Sequence, residues 1–361
     1  MRGARGTMIL QELQKRKPKD RIYTAFGEIM LRLAPPGYER LLQSPLLNAT
    51  FGGGESNVLV SLSIQGMRTR FISALPDNDM GTAALRSLQS HGVDTSSVIL
   101  KKGSRLGIYF MEKGADQRPA QVIYDRAGAA ITEIGAVDID WEQCFDGCGW
   151  FHITGITPAL SASAADLSRR AMSAARDRGL VVSLDLNYRA KLWKYGVPAQ
   201  EIMGELAGYA NIIIANEEDC QKSLGIGKDF TPSHSPDTAQ YEQLAQEVLD
   251  RYGNAKLIAI TLRESLSASH NRWSASLFDG TSARFSRQYD ISHIVDRVGA
   301  GDSFAAGLIY GLSCFSSLDE ALEYATAASC LKHSIEGDWN LATRDEITKL
   351  ARGEVTGRIQ R

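Results

Sequence analysis

From about residue 150 the chain alternates short runs rich in Ile, Val and Leu with longer amphipathic stretches, and that alternation leaves few folds open. A strand covered on both faces has no polar side and reads as a continuous apolar run, whereas a covering helix keeps one polar face. Residues 150–154, 180–184, 211–215 and 256–261 read as strands of that buried kind. Residues 163–178 and 238–252 read as helices between them, and Gly179 sits where a helix end favours left-handed backbone. Upstream, 22–26 and 70–74 are further strands, with helices over 57–65 and 82–91. Strand, helix, strand in series predicts an α/β fold: a three-layer core with a mostly parallel sheet between helices.

Two segments break this rhythm. Residues 28–51 and 104–128 carry extra strand-like runs, and in the second, 106–111 and 121–124 flank the turn-prone Lys113-Gly114-Ala115-Asp116. Strands inserted between βα units cannot continue the parallel sheet, so they are expected to form a small separate sheet, a lid over one edge of the core. With 361 residues the chain can bury a full core. Residues 21–361 are read as one folded unit, with 28–51 and 104–128 inserted in it, and 1–20 as a basic, flexible tail. Residues 1–21 hold seven Lys or Arg against Glu12 and Asp20, and the only apolar stretch there is Met8-Ile9-Leu10.

Charge and cysteine usage narrow the function class. A formal net charge of −2 gives no global attraction to nucleic acid or anionic lipid. The longest apolar runs, such as 304–310, are about half the ~18 residues that cross a bilayer. Five scattered cysteines suit a reducing compartment, and the cytoplasm is expected.

Chemistry concentrates in two glycine-rich places. Gly299-Ala300-Gly301-Asp302 precedes a run with apolar residues at 304, 308, 309 and 312, one face of a helix. Small residues at a helix N-terminus let backbone N–H groups approach a phosphate, and the helix dipole adds partial positive charge there. Asp302 could be only an N-cap. A carboxylate beside an anion cradle can also take a hydroxyl proton while the amides stabilise a transferring phosphoryl group. The second place is Gly52-Gly53-Gly54-Glu55-Ser56-Asn57, leading into the 58–65 helix. No Gly-x-x-x-x-Gly-Lys-Ser/Thr occurs, and the run from Gly299 lacks the third glycine of a dinucleotide fingerprint, which disfavours P-loop enzymes and dehydrogenases.

Together these runs resemble the two signatures of the ribokinase-like, or PfkB, carbohydrate kinases: Gly-Gly-x-x-x-Asn early and Asp-x-x-Gly-Ala-Gly-Asp late, here Asp296 to Asp302. The resemblance runs from about Ile22 to about Ile347. It implies a ribokinase-like α/β sandwich with a small β-sheet lid, and an enzyme using ATP and Mg²⁺. Within the family, Gly27 to Leu33, Leu106 to Phe110, Tyr124-Asp125-Arg126 and Asp185 to Trp193 are most similar to 2-keto-3-deoxygluconate kinases. Carried over position by position, Asp302 would be the base and Gly299, Ala300 and Gly301 the anion hole. Gly53, Asn57, Tyr109, Tyr124, Arg126, Arg189 and Asp302 would line the sugar site, with Asp338 a further contact. Two arginines, 126 and 189, suit a sugar carboxylate better than a neutral hexose.

On the nucleotide side, Asn216 opens an element resembling the family's Asn-x-x-Glu, with Asp219 in place of Glu. Asp219 would act on magnesium indirectly, Arg263 would neutralise phosphate, and 325–331 resembles an adenine-side helix. Arg297-Val298 replaces the commoner Thr pair, where a lost hydroxyl bears on a monovalent-cation or phosphate contact. Ile108, Phe110 and Ile123 suggest a homo-oligomer through the lid. The expected reaction is phosphorylation of a sugar acid, first 2-keto-3-deoxygluconate at its terminal hydroxyl. Fructose, ribose and other sugars remain alternatives, as does a non-catalytic sugar or nucleotide sensor.

Overall fold

In the strands of the core, side chains alternate between two apolar layers as the pleat requires. Ile212 and Ile214 join one buried layer and Ile213 and Ala215 the other; Leu257 and Ala259 part in the same way from Ile258 and Ile260. The computed structural model describes residues 2–15, 17, 20–231 and 237–354. Its strands are β1 (Ile22–Phe26), β2 (Met30–Ala34), β3 (Asn48–Gly52), β4 (Arg68–Pro76), β5 (Val93–Lys101), β6 (Ile108–Glu112) and β7 (Gln121–Asp125). They continue with β8 (Cys148–Thr154), β9 (Val181–Asp185), β10 (Ile212–Ala215), β11 (Leu257–Ser267), β12 (His270–Phe278), β13 (Ala283–Phe285) and β14 (Tyr289–Ile291).

The helices are α1 (Arg2–Leu13), α2 (Gly54–Ile64), α3 (Asp79–Ser90), α4 (Trp141–Cys144), α5 (Ala162–Asp177) and α6 (Ala199–Ala207). After them come α7 (Glu217–Asp219), α8 (Thr238–Arg251), α9 (Ala300–Cys314), α10 (Leu318–Lys332) and α11 (Arg344–Ala351). Leu167, Met203 and Val248 of α5, α6 and α8 pack on one face of the large sheet. Leu10, Val58, Phe304, Leu322 and Ile347 of α1, α2, α9, α10 and α11 pack on the other.

The large sheet runs β13-β12-β11-β10-β9-β8-β1-β4-β5, with β14 also paired to β12. From β11 to β5 every pairing is parallel. From β1 the chain moves to β4 and β5 on one side, and later returns at β8 on the other. Such a change of direction opens a crevice beyond the carboxyl ends of the strands. Residues 28–51 and 104–128 supply the second sheet, ordered β3-β2-β6-β7. Its inner face buries Met30, Tyr109 and Met111, with Val298 packed against them.

Two expectations change. The basic N-terminus is not a loose tail: α1 buries Ile9, Leu10 and Leu13 at 5%, 3% and 5% exposure. Gln14 then donates to the carbonyls of Leu312 and Phe315 at 3.0 and 2.7 Å. Charge content conceals the cause, which is the helical spacing of Ile9 and Leu13 on one apolar edge. The strand expected over 256–261 also continues to Ser267 and pairs antiparallel with β12, so this edge of the sheet is not parallel. Among the described residues no helix is long and apolar enough to cross a membrane.

Candidate active site

A cleft of about 490 Å³ lies where the lid, the carboxyl ends of β9, β10 and β11, and the N-terminus of α9 converge. Gly299 is the residue before α9 and takes φ 80°. A side chain there would be strained by that angle and would drive a Cβ to 1.9 Å from the Asp338 carbonyl, so glycine is required twice over. At Gly301 a Cβ would meet nothing within 4 Å, which leaves the backbone open to the cleft. The first amides of a helix have no acceptor in their own helix. That of Ala300 turns to the Arg297 carbonyl at 3.3 Å, so Gly301 and Asp302 supply the freer donors.

Asp302 is in the first turn of α9, beyond the cap position, and no side chain caps this helix. The carboxylate instead accepts a 2.7 Å hydrogen bond from Asn57 Nδ2. Asn57 Oδ1 in turn accepts from the Gly53 amide at 3.1 Å. The two glycine-rich runs, far apart in sequence, therefore meet at one carboxylate. Burial pushes the Asp302 pKa up to about 7; the Asn57 bond pulls the other way without cancelling it.

Of the residues singled out in the sequence, the cleft is lined by Gly53, Asn57, Tyr109, Tyr124, Arg189, Asn216, Asp219, Arg263, Gly299, Ala300, Gly301, Asp302 and Asp338. Arg126 is not brought in. It pairs with Glu28, and both side chains are buried. Its guanidinium carbon lies 5.4 Å from the Tyr124 ring centre, so Arg126 supports a residue of the cleft wall. Burial favours this outcome, because an unpartnered Glu28 would be a poorly solvated charge. Arg189, by contrast, is exposed after β9 and donates to the Tyr188 carbonyl at 2.8 Å.

Asp338 joins lid to core. One of its oxygens accepts from Arg32 at 2.8 Å and from the Tyr109 hydroxyl at 2.5 Å. Arg32 also reaches Asp296, at 2.5 Å, at the start of the loop that leads into α9. Burial opposes the Arg32 charge, but Asp296 and then Asp338 outweigh it and raise its pKa. The stretch 325–331, by contrast, does not reach the cleft: Ala325, Ala327 and Ala328 are buried with the α9 side chains, and His333 beyond the helix lines it instead.

Sequence reasoning passed over Asp185 as a site residue. It ends β9, accepts the Asn187 amide at 3.2 Å and lines the cleft. Burial, followed by the nearby Asp219 and Asp302, raises its pKa well above the carboxylate range. Its place as the last residue of a central strand was the available signal. Arg297 was noted only as a lost hydroxyl. It lines the cleft, donating at 2.6 Å to the Ala268 carbonyl, and burial together with Arg263 lowers its pKa.

Asn216, Glu217, Glu218 and Asp219 form one acidic wall of the cleft. Among the described residues no group of three or more His, Cys, Asp or Glu is placed to hold a metal ion. The two Asp219 oxygens accept the amides of Tyr188 and Asn216 at 2.8 and 2.9 Å. Glu217 and Glu218 line the same wall. This donor set fits a magnesium ion that arrives on phosphate and keeps most of its waters.

Comparison with known proteins adds a second, independent line. A family model described as pfkB family carbohydrate kinase matches residues 23–339. A 2-dehydro-3-deoxygalactonokinase from Haloferax volcanii is 30% identical over 332 residues, 92% of this chain and 97% of its own. The crystal structure of a 2-dehydro-3-deoxygluconokinase from Thermotoga maritima superposes with a TM-score of 0.85 at 45% identity, covering 92% of this chain and all of that one (100%). A structure of a ribokinase II from E. coli, solved with ATP and Mg²⁺, shares the fold at TM-score 0.74 and 18% identity, over 93% of this chain and 100% of that one.

Proposed function

The chain belongs to the pfkB family of carbohydrate kinases, and from that premise we propose that it moves the terminal phosphoryl group of ATP to the 6-hydroxyl of 2-dehydro-3-deoxygluconate, also called 2-keto-3-deoxygluconate. One observation carries the reading: Asp302, held by Asn57, stands in the cleft beside the open amides of Gly301 and its own backbone. Its pKa of about 7 suits a group that must accept a proton near neutrality.

In the reaction Asp302 takes the hydroxyl proton as the sugar oxygen bonds to the γ-phosphorus. The bond from that phosphorus to the β–γ bridging oxygen breaks, and ADP leaves with that electron pair. The α9 amides meet charge on the transferring group, and an oriented donor of this kind is worth about 3 kcal/mol in the transition state. Arg263 and Arg297 face the phosphates. Magnesium, held by phosphate oxygens, water and the Glu218 and Asp219 wall, would neutralise the developing charge.

The sugar carboxylate is assigned to Arg189, with Tyr109 and Tyr124 against the carbon chain; Arg126 acts by fixing Tyr124. The relatives named for 2-dehydro-3-deoxy acids at 30% and 45% identity support this choice. The ribokinase II solved with ATP and Mg²⁺ supports the donor. Five cysteines without a disulfide support the cytoplasm as the compartment. For quaternary structure we propose pairing through the lid, whose outer face aligns Leu31 with Phe51 and Ile108, and Phe110 with Leu33 and Ile123.

The test is a substrate panel with ATP and Mg²⁺: 2-dehydro-3-deoxygluconate, its galactonate epimer, fructose and ribose. The expected result is a kcat/KM at least about tenfold higher for the acids, the loss that one charge-assisted contact gives in its absence. Equal or better turnover of the neutral sugars would remove the carboxylate assignment.

A further inference from the structure

Lys332 ends α10 and has 0% of its surface exposed, although nothing in the proposed chemistry employs it. Its ammonium group donates to the Ile335 carbonyl at 2.8 Å and reaches the Asp296 carbonyl at 3.4 Å. Asp296 begins the segment that ends at the α9 amides. Its carboxylate is held separately, by Arg32 at 2.5 Å, by the Val298 amide at 3.1 Å and by the Gly337 amide at 3.2 Å. The charged groups around the ammonium are Asp296, Asp338 and Asp302, which favour it, and Arg32, which does not.

A buried lysine is a poor choice if only packing is wanted, because its charge loses hydration that a methionine of similar length would not need. Burial lowers the Lys332 pKa to about 8, which leaves it cationic at neutral pH. A cation between two backbone carbonyls does one thing a methionine cannot. It draws together the chain before the anion loop and the chain after α10, fixing the start of the segment that carries the amides.

We propose that Lys332 is a positioning residue for phosphoryl transfer, a built-in cation that holds the Asp296 and Ile335 carbonyls and thereby sets the Asp296 to Gly301 loop against the transferring group. Lys332 touches no reacting atom; it acts through Asp296. A small monovalent cation could make the same carbonyl contacts, so the side chain replaces a dissociable ion. The inference rests on the kinase reading of the cleft but not on which sugar is bound.

The experiment uses whichever panel sugar the parent turns over best, so an error in the sugar assignment leaves it intact. Lys332→Ala and the length-matched Lys332→Met are compared with the parent in potassium, ammonium or tetramethylammonium chloride at constant ionic strength, with melting curves to establish folding. The expected result is a kcat lowered by roughly 10- to 100-fold in both variants, with sugar KM within about threefold, as for a misplaced catalytic group. Ammonium or potassium restores kcat in the alanine variant by about fivefold or more, through the cavity left open, while tetramethylammonium does not. The parent is indifferent to the salt. A folded variant with parental kcat, a loss that no small cation relieves, or a parent that itself needs potassium would each overturn the proposal. Should neither variant fold, the parent's salt series alone decides, dependence refuting and indifference supporting the built-in cation.

Discussion

At the scale of single residues, the account turns on how Asp302 is protonated. Its pKa is raised to about 7 in the folded chain, so the carboxylate form needed to accept a proton declines as pH falls below that value. kcat/KM for the sugar should therefore rise about tenfold per pH unit at acid pH and level off above about 7. The Asn57 hydrogen bond works against burial, so Asn57→Ala should move this inflection to higher pH; an unmoved inflection would show that another group titrates. Stability has its own sign. A carboxyl whose folded pKa is raised contributes stability below its unfolded pKa, and loses it as pH climbs through about 7. Asp302→Asn should consequently melt higher than the parent at pH 8, by roughly 2–5 °C, in a calorimetric scan. Taken alone, Asp302 at a helix start reads as a cap; the anion cradle beside it and the second glycine-rich run are what favour a base. The geometry removes the cap role: the cap position falls to Gly299, and the carboxylate turns to Asn57. The pairing of Arg126 was hidden for a related reason, since its partner Glu28 lies 98 residues away and no local pattern links the two.

At the scale of elements, the lid is joined to the core by a buried ion cluster. Arg32 on β2 bridges Asp296 and Asp338, which lie 264 and 306 residues further along the chain. Replacing Arg32 with Met would leave two buried carboxylates without their cation, a loss of about 3–5 kcal/mol by denaturant titration. Unchanged stability would mean that the cluster is solvated. The lid itself was legible because 106–111 and 121–124 alternate as strands beside turn residues, and β6 and β7 do pair antiparallel. The ion cluster was not, because a buried arginine in a strand looks like an exposed one until its partners are known. On the lid's outer face Ile123 is 53% exposed. If a second copy covers it, Ile123→Glu should convert a dimer to monomers in sedimentation, and a parent that is already monomeric would refute the pairing.

At the scale of the whole molecule, the parallel part of the sheet followed from its buried strands, since an apolar run between helices has few other places to go. The antiparallel edge was missed because β12 is mixed in character, β13 and β14 are three residues each, and their order depends on pairing with β11. The N-terminal helix was missed because its charge outweighed a three-residue apolar edge. It packs near Leu312 and Phe315, at the end of α9 remote from Gly299 and roughly 20 Å away at the helical rise. Removing residues 1–14 should therefore lower the melting temperature while leaving kcat within about twofold, since distant sites act independently. The most direct measurement of the central claim is single-turnover phosphoryl transfer from ATP to 2-dehydro-3-deoxygluconate by the parent and by folded Asp302→Asn. The account predicts transfer to the 6-hydroxyl by the parent and a rate lower by about 10²- to 10⁴-fold in the variant. Transfer by Asp302→Asn within about tenfold of the parent, outside the range for loss of a general base, would contradict it.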